Sequence, residues 1–268
     1  MNLRKISNFV MGAVIVGAMA SCQNMERPAL GNYPKDSNPP GGPLKFYTAL
    51  EGTSVDSIRA NFGNEKSASF VTGINGKAYK AATAESYITY AAPNDFSKVT
   101  SFTVSYWIKA TNPAPGIGAQ FLFAVAEPSH WSKSSLFMLM EDGGQSKGDS
   151  AAIKFMLQDN WFEFVGNNRI PKLLNDQWHH MALVYDQSTS VMKLYVDGVA
   201  STRTLTTKLG ALNLTSSTKF ILGGVGGQAL GTGKDGWMIN WLGGIDQFRM
   251  YGTALSATEV AALYNGKK

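Results

Sequence analysis

Two of the chain's three histidines stand side by side, His179 and His180, in the stretch QWHHMALVYDQ from Gln177 to Gln187. Paired imidazoles next to Trp178 and ahead of Asp186 suggest proton transfer or a metal site. The alternating run around them reads as a strand, where successive side chains point to opposite faces. Trp178, His180, Ala182 and Val184 then share one side, and His179, Met181, Leu183 and Tyr185 the other. The two rings cannot converge on one atom without a bulge. Both sides are mostly apolar, so a scaffold strand inside the fold is expected. Other chemistries lack parts. A zinc site needs three or four converging ligands, and no carboxylate lies two residues from a histidine. No Gly-x-Ser-x-Gly elbow occurs. Glu141 and Asp142 are adjacent, so on a strand they diverge. Asp159 and Glu163 have the spacing to share a face, but Asn160 marks a turn between them.

The elements that carry these residues are short alternating runs separated by Gly, Asn, Asp, Ser or Pro. They are Leu44–Leu50, Ser86–Ala91, Ser101–Ala110, Gln120–Ala126, Leu136–Glu141, Ala152–Asp159, Trp161–Val165, Trp178–Asp186, Val191–Gly198, Thr202–Thr206, Lys219–Gly224 and Gly243–Tyr251. A dozen such runs with turn signals between them predict an all-β sandwich or barrel. Asp197-Gly198 between two runs is a strong hairpin signal, and the polar stretch Asp186 to Ser190 predicts another. Ser256-Ala257-Thr258-Glu259 matches a capping box ahead of Val260, Leu263 and Tyr264 at helical spacing. A short C-terminal helix is expected to close the end of the sandwich.

The N-terminus has a different character. Arg4 and Lys5 precede an apolar stretch from Phe9 to Ala18, too short to span a bilayer and suited to an export signal. The segment ends in Met19-Ala20-Ser21-Cys22, which resembles the lipobox of bacterial lipoproteins. That resemblance implies a signal peptide over 1–21 and lipidation of Cys22, the chain's only cysteine. Residues 22–43, rich in Pro, Gly, Asn and Ser, read as a flexible tether, and 44–268 as one folded domain. The net charge of +5 falls to +3 when Arg4 and Lys5 leave with the signal. The remaining charges are scattered, which argues against nucleic acid as a partner. The lipid would be the only membrane anchor.

Several stretches occur in a telling order: FTVSYWIKA, QWHHMALVYDQSTSVMKLYVDGV, FILGG and LGGIDQFRMYGTALSATEVAALY. The succession resembles the laminin-G-like, concanavalin A-like lectin/glucanase superfamily over roughly Leu44 to Asn265. That resemblance implies a jelly-roll sandwich of two antiparallel sheets with the first and last strands near each other. The signal and tether resemble those of Bacteroidetes surface lipoproteins. This implies an outer-membrane, cell-surface location, with the periplasmic face also open, and polysaccharide capture. Hydrolases of this fold carry Glu-x-Asp-x-Glu or Glu-x-Asp-x-x-Glu on one strand, and neither pattern is present. The resemblance also implies one structural Ca²⁺ near the terminal strands, held by hard oxygen ligands. Glu51, Asp56 and Asp246 are the matching acids. The alternative is that Asp56 caps a turn and Asp246 binds Arg249 or a loop amide.

Glycan capture needs flat aromatic faces beside polar groups in loops. Trp107 and Trp178 sit inside strand runs and are expected in the core. Trp131, Trp161, Trp237 and Trp241 adjoin loops. Trp131, Trp161 and Trp237 are the candidates, with His130, Asn160 and Asp235 as polar neighbours. The leading expectation is a non-catalytic glycan-binding surface lipoprotein. A protein-interaction or adhesion module of a surface complex, and a glycan-cleaving enzyme, are the alternatives.

Overall fold

The computed structural model describes residues 41–112, 117–141 and 148–267. The signal segment, Cys22, most of the tether and Asp142 lie outside the described residues. The strands are β1 (Leu44–Thr48), β2 (Val55–Asp56), β3 (Asn61–Phe62), β4 (Asn64–Lys66), β5 (Ala68–Thr72), β6 (Lys77–Ala81), β7 (Tyr87–Tyr90), β8 (Phe102–Thr111) and β9 (Ala119–Ala126). They continue as β10 (Leu136–Met140), β11 (Ile153–Leu157), β12 (Asn160–Phe164), β13 (Asn175–Asp186), β14 (Val191–Val196), β15 (Val199–Thr206), β16 (Lys219–Leu222), β17 (Met238–Asn240) and β18 (Gly244–Tyr251). Among the described residues, two α-helices, α1 (Gly226–Ala229) and α2 (Ala257–Asn265), and three short 3₁₀ turns, Asn94–Lys98, Trp131–Lys133 and Gly166–Asn168, join them.

Two sheets face each other. The first runs β15-β14-β13-β8-β18-β1-β2-β3, with β6 beside one end of β18 and β5 beside β6. The second runs β12-β11-β10-β9-β16-β7-β4. Pairing is antiparallel except for β17, which lies parallel to β9. The first and last long strands, β1 and β18, are neighbours, Phe46 opposite Met250. This is the expected jelly-roll sandwich. The long runs became strands because their alternation puts one set of side chains between the sheets. Phe46, Tyr106, Phe123, Phe220 and Phe248 are all buried there. Edge contacts such as Phe46 on Phe220 at 4.9 Å and stacking of Tyr106 on Phe248 at 5.3 Å add to the area each ring hides from water.

The expected hairpins formed. Asp197 and Gly198 have φ of 50° and 77°, the left-handed pair that a two-residue turn with strand-matched twist requires. Gln158 and Asp159, at φ 42° and 63°, make a second such turn, so Asp159 is in the turn and Glu163 in β12. The short strands between Val55 and Ala81 were not expected. Apart from Asp56, Ala78 and Tyr79 they are exposed or half-buried, so no apolar period marks them, and pairing partners hold them in place.

Helix α2 begins as expected: Ser256 Oγ accepts from Glu259 N, and Glu259 Oε2 accepts from Ser256 N at 2.7 Å. Its docking place corrects the sequence reading. It lies on the outer face of the first sheet, not on the end, with Val260 against Ala182, Val184 and Tyr195. Tyr264 stacks on Trp107 at 5.7 Å. Trp107 is therefore buried beneath a helix and not between the sheets, as its position beside His180 on the outer-facing row dictates.

Candidate functional site

The histidine pair belongs to the scaffold. His180 is fully buried under α2, and its Nε2 lies 2.9 Å from Ser105 Oγ. Burial, aided by repulsion from Arg249 and opposed by Asp197, pushes its pKa down to about 4. His179 lies on the opposite side, its Nδ1 2.8 Å from Asp197 Oδ2 and its Nε2 3.0 Å from Asn175 Oδ1. Asp197 Oδ1 also accepts the backbone N–H of His180 at 2.9 Å. One carboxylate thus ties the start of the β14–β15 turn to β13.

The outer face of the second sheet is different. A register row crosses five strands: Ile221 in β16, Ala124 in β9, Phe137 in β10, Met156 in β11 and Trp161 in β12. Alternation puts all five side chains on the face away from the core. Such a row would leave an apolar stripe in water, and two loops cover much of it. Helix α1 lies over Ala124 and Ala126, where a Cβ at Gly226 would stand 3.9 and 3.5 Å from their methyls. Trp131 covers Phe121 and Phe137, at ring distances of 6.0 and 5.8 Å.

The three candidate tryptophans, drawn from separate segments, meet on this face. Trp237 lies edge-to-face on Trp131 at 5.5 Å, and Trp161 edge-to-face on Phe137 at 5.6 Å. Trp237, Trp131, Phe137 and Trp161 form an unbroken run of touching rings. Trp161 is 40 % and Trp237 45 % exposed, while Trp131 is half-buried between them. The exposed rings sit at the rims and the covered rings beneath them form a floor.

Each tryptophan is locally fixed. Trp131 starts a single 3₁₀ turn capped by His130, whose Nδ1 accepts from Ser132 N and lies 2.8 Å from Ser132 Oγ. Glu127 accepts from Ser129 N and His130 N, and its bond from Ser129 Oγ, together with these amides, lowers its pKa despite some desolvation. Trp161 follows the Gln158-Asp159 turn in β12, directly opposite Met156. Trp237 leads into β17, and its carbonyl accepts Ala119 N at 2.8 Å. Gly118 is required there, since a Cβ would fall 2.2 Å from that oxygen.

The polar candidates divide. His130 is exposed, its ring 5.8 Å from Trp131. Asp235 is exposed and its carbonyl accepts Met238 N, so it stands two residues from Trp237 at the same turn. Asn160 spends its amide on Gln158 O at 2.8 Å and Leu157 O at 3.3 Å, and serves the turn. The sequence reading missed a charged group on the same face. Lys154 lies opposite both Leu139 and Glu163 and bridges Glu141 Oε1 at 2.5 Å and Glu163 Oε1 at 3.4 Å. Burial pulls the Lys154 pKa down, but the bonds and charges of the two glutamates outweigh it and hold it above the ordinary value. Both carboxylates are spoken for by one cation.

The three acids proposed for calcium do not all meet. Asp56 Oδ1 accepts from Tyr47 N and Ile58 N, and Oδ2 from Arg59 N and Asn94 Nδ2. It caps a turn, with both oxygens in use. Asp246 and Glu51 meet on another turn, closed by the bond from Gly73 N to Gly76 O. Asp246 Oδ2 accepts Ile74 N at 2.8 Å, and Glu51 Oε2 accepts Lys77 N at 2.7 Å. Glycine is needed at both corners: a Cβ at Gly73 would meet Asp246 Oδ2 at 2.3 Å, and one at Gly76 would meet Glu51 Oε2 at 2.1 Å. Asp246 is buried, and its Oδ1 has no hydrogen-bond partner among the described residues. Burial pushes its pKa up to about 7, the charge of Glu51 adds to this, and amides of Ile74, Asn75 and Gln247 oppose it. An orphaned buried carboxylate oxygen beside a second acid and a turn of carbonyls has the donor chemistry that Ca²⁺ takes. Among the described residues no three His, Cys, Asp or Glu side chains converge on a metal position, so backbone oxygens would have to supply the rest.

Among the described residues no helix is long and apolar enough to cross a membrane. A family model described as the concanavalin A-like lectin/glucanases superfamily matches residues 82–261. No curated protein sequence matches the chain significantly. Among solved structures, the chain is similar to domain 4 of AbnA, a GH43 extracellular arabinanase from Geobacillus stearothermophilus, solved in complex with arabinotriose. Identity is 19 %, coverage 83 % of this chain and 99 % of that one, and the TM-score 0.57. It is also similar to the binding domain of Paraclostridial Mosquitocidal Protein 1, at 16 % identity, 84 % and 52 % coverage and a TM-score of 0.60. The binding domain of botulinum neurotoxin serotype D matches at 11 % identity, 84 % and 52 % coverage and a TM-score of 0.56. The chain spans about half the length of these two toxin domains.

Proposed function

The chain belongs to the concanavalin A-like lectin/glucanases superfamily, and from that premise we propose that it binds extracellular carbohydrate without cleaving it. The observation that carries this reading is the meeting of Trp131, Trp161 and Trp237 on one sheet face. A sugar presents flat C–H surfaces and a rim of hydroxyls. Exposed indoles at Trp161 and Trp237 offer apolar faces for the former, while His130, Asp235 and Glu163 stand near as polar partners for the latter. Rigid backbone on both sides pre-organises the rings, which lowers the ordering cost of binding. The arabinotriose complex of the arabinanase domain supports the same ligand class. The non-catalytic reading rests on Lys154, which lies between Glu141 and Glu163 and pairs with both. A glycosidase needs one free acid and one free base or nucleophile.

In this reading Cys22 carries the lipid that holds the domain at the outer membrane, cell surface outward, where polysaccharide is met. Glu51, Asp246 and carbonyls of the Gly73–Lys77 turn would hold one structural Ca²⁺, which would neutralise the buried carboxylate and brace β18 against the β5–β6 turn. Affinity electrophoresis through gels containing single polysaccharides, with a reducing-end assay on the same mixtures, tests the function. Retarded migration without product release is expected. Reducing ends or unsaturated products would establish a glycan-cleaving enzyme instead. Free migration in every gel, with co-purification of one surface protein, would establish the interaction module.

A further inference from the structure

The outer face of the first sheet holds a second constellation, separate from the tryptophan shelf. One register row runs across four strands: Trp178 in β13 opposite Lys109 in β8, Lys109 opposite Gly244 in β18, and Gly244 opposite Lys80 in β6. Their side chains share one face. Gly244 leaves a notch in the row, and the Trp178 indole leans over it: a Cβ at Gly244 would stand 2.8 Å from Trp178 Cη2. The result is a cleft of about 330 Å³ whose lining includes all four residues together with Thr111 and Asp176. Trp178 is half-buried and not in the core, contrary to the expectation from its strand run.

The charges in the cleft are unequal. Lys109 Nζ pairs with Asp176 Oδ1 at 3.6 Å. Lys80 is exposed and has no ion pair among the described residues. One positive charge is therefore left over, two strand spacings, or about 10 Å, from Lys109. An indole wall seated on Gly244, hydroxyl and carboxylate partners at Thr111 and Asp176, and one unmatched ammonium define a ligand. We infer that this cleft binds a pyranose bearing a carboxylate, a uronic acid residue of an acidic polysaccharide. The sugar ring lies against Trp178, its carboxylate meets Lys80, and its hydroxyls meet Asp176 and Thr111. The site is independent of the shelf, so a chain with both has two separate places at which polysaccharide is held.

Isothermal titration of the full chain with trigalacturonic acid and with its methyl ester tests the inference. The ester keeps ring and hydroxyls and loses only the charge. The acid is expected to bind about fivefold more tightly than the ester, and Lys80→Gln to remove that difference. The preference should also shrink as salt rises. The Trp161→Ala, Trp237→Ala double variant should keep it. Equal affinity for acid and ester, an acid affinity unchanged by Lys80→Gln, or no binding of the acid would each overturn the site. Acid binding lost in the double tryptophan variant but intact in Lys80→Gln would also overturn it, while leaving glycan binding at the shelf standing. Lys80 is exposed, so the variant is expected to fold, and its unfolding midpoint checks this.

Discussion

Buried His180 makes this fold sensitive to mild acid in a way that can be worked out in advance. In the unfolded chain an imidazole titrates near 6.5, whereas the His180 environment lowers this to about 4. Above pH 6.5 the ring is neutral in both states and its contribution to stability is complete. As pH falls from 6.5 towards 4, the unfolded chain takes up a proton that the folded chain refuses, so stability is lost across that window. At about 1.4 kcal/mol per pH unit the loss by pH 4.5 is about 2.5 kcal/mol. Other groups titrate in the same range, so the comparison needs a His180→Gln partner. Glutamine can still bond Ser105, and any fixed cost of the substitution cancels when each protein is compared with itself at two pH values. Urea unfolding at pH 7.5 and pH 4.5 is the assay. The wild type should lose about 2.5 kcal/mol more than His180→Gln, roughly a 1 M larger drop in midpoint for an m-value near 2 kcal/mol/M. Equal losses in the two proteins would refute the claim that α2 and the first sheet hold this ring neutral.

Two further predictions concern other parts of the fold. Ser256→Ala removes the acceptor for Glu259 N and should cost about 1 kcal/mol, a midpoint lowered by about 2–4 °C in calorimetry. No change would mean that α2 docks without its cap. For calcium, 5 mM Ca²⁺ added to EDTA-treated protein at pH 8 should raise the melting temperature, and Asp246→Asn should abolish the rise. Asp56→Asn should lower the melting temperature without abolishing the rise, because its oxygens serve backbone amides. A calcium shift that survives Asp246→Asn would place the ion elsewhere, and no shift in the wild type would remove the ion.

Much of the fold was readable because long strands such as β8, β13 and β18 must alternate to fill a core. The Asp197-Gly198 turn was readable because so few residues adopt its backbone. Strands β2 to β6 were not, since exposed residues such as Asn64, Glu65 and Lys66 carry no period; β4 is held by β7, β2 by β1 and β6 by β18. The placing of α2 was missed for a related reason. The row Trp107, His180, Ala182 and Val184 is apolar, but a sequence does not say whether a second apolar strand face meets a sheet or a helix. The same ambiguity hid the shelf floor. LFMLM in β10 is apolar at every position, which fits a strand covered on both sides, yet only the cross-strand register shows Phe137 leading to Met156 and Trp161. Trp131, Trp161 and Trp237 were singled out because each adjoins a loop. Their meeting depended on three separate segments and the parallel pairing of β17 with β9. Asp56 and Asp246 look alike in sequence. They differ because Asp56 meets four donors and one oxygen of Asp246 meets none.

The central claim, that the tryptophan shelf holds sugar, is tested most directly by affinity electrophoresis of two proteins in one gel. Wild type and the Trp161→Ala, Trp237→Ala double variant run side by side through the polysaccharide that retards the wild type most. Both rings are at the rim, so the variant should keep its fold, and matched far-ultraviolet dichroism and melting temperature check this. Loss of two stacking faces should weaken binding at the shelf at least tenfold, about 1.4 kcal/mol, so the double variant should be retarded far less than the wild type. Equal retardation of the two folded proteins would contradict the account and move the sugar off the shelf.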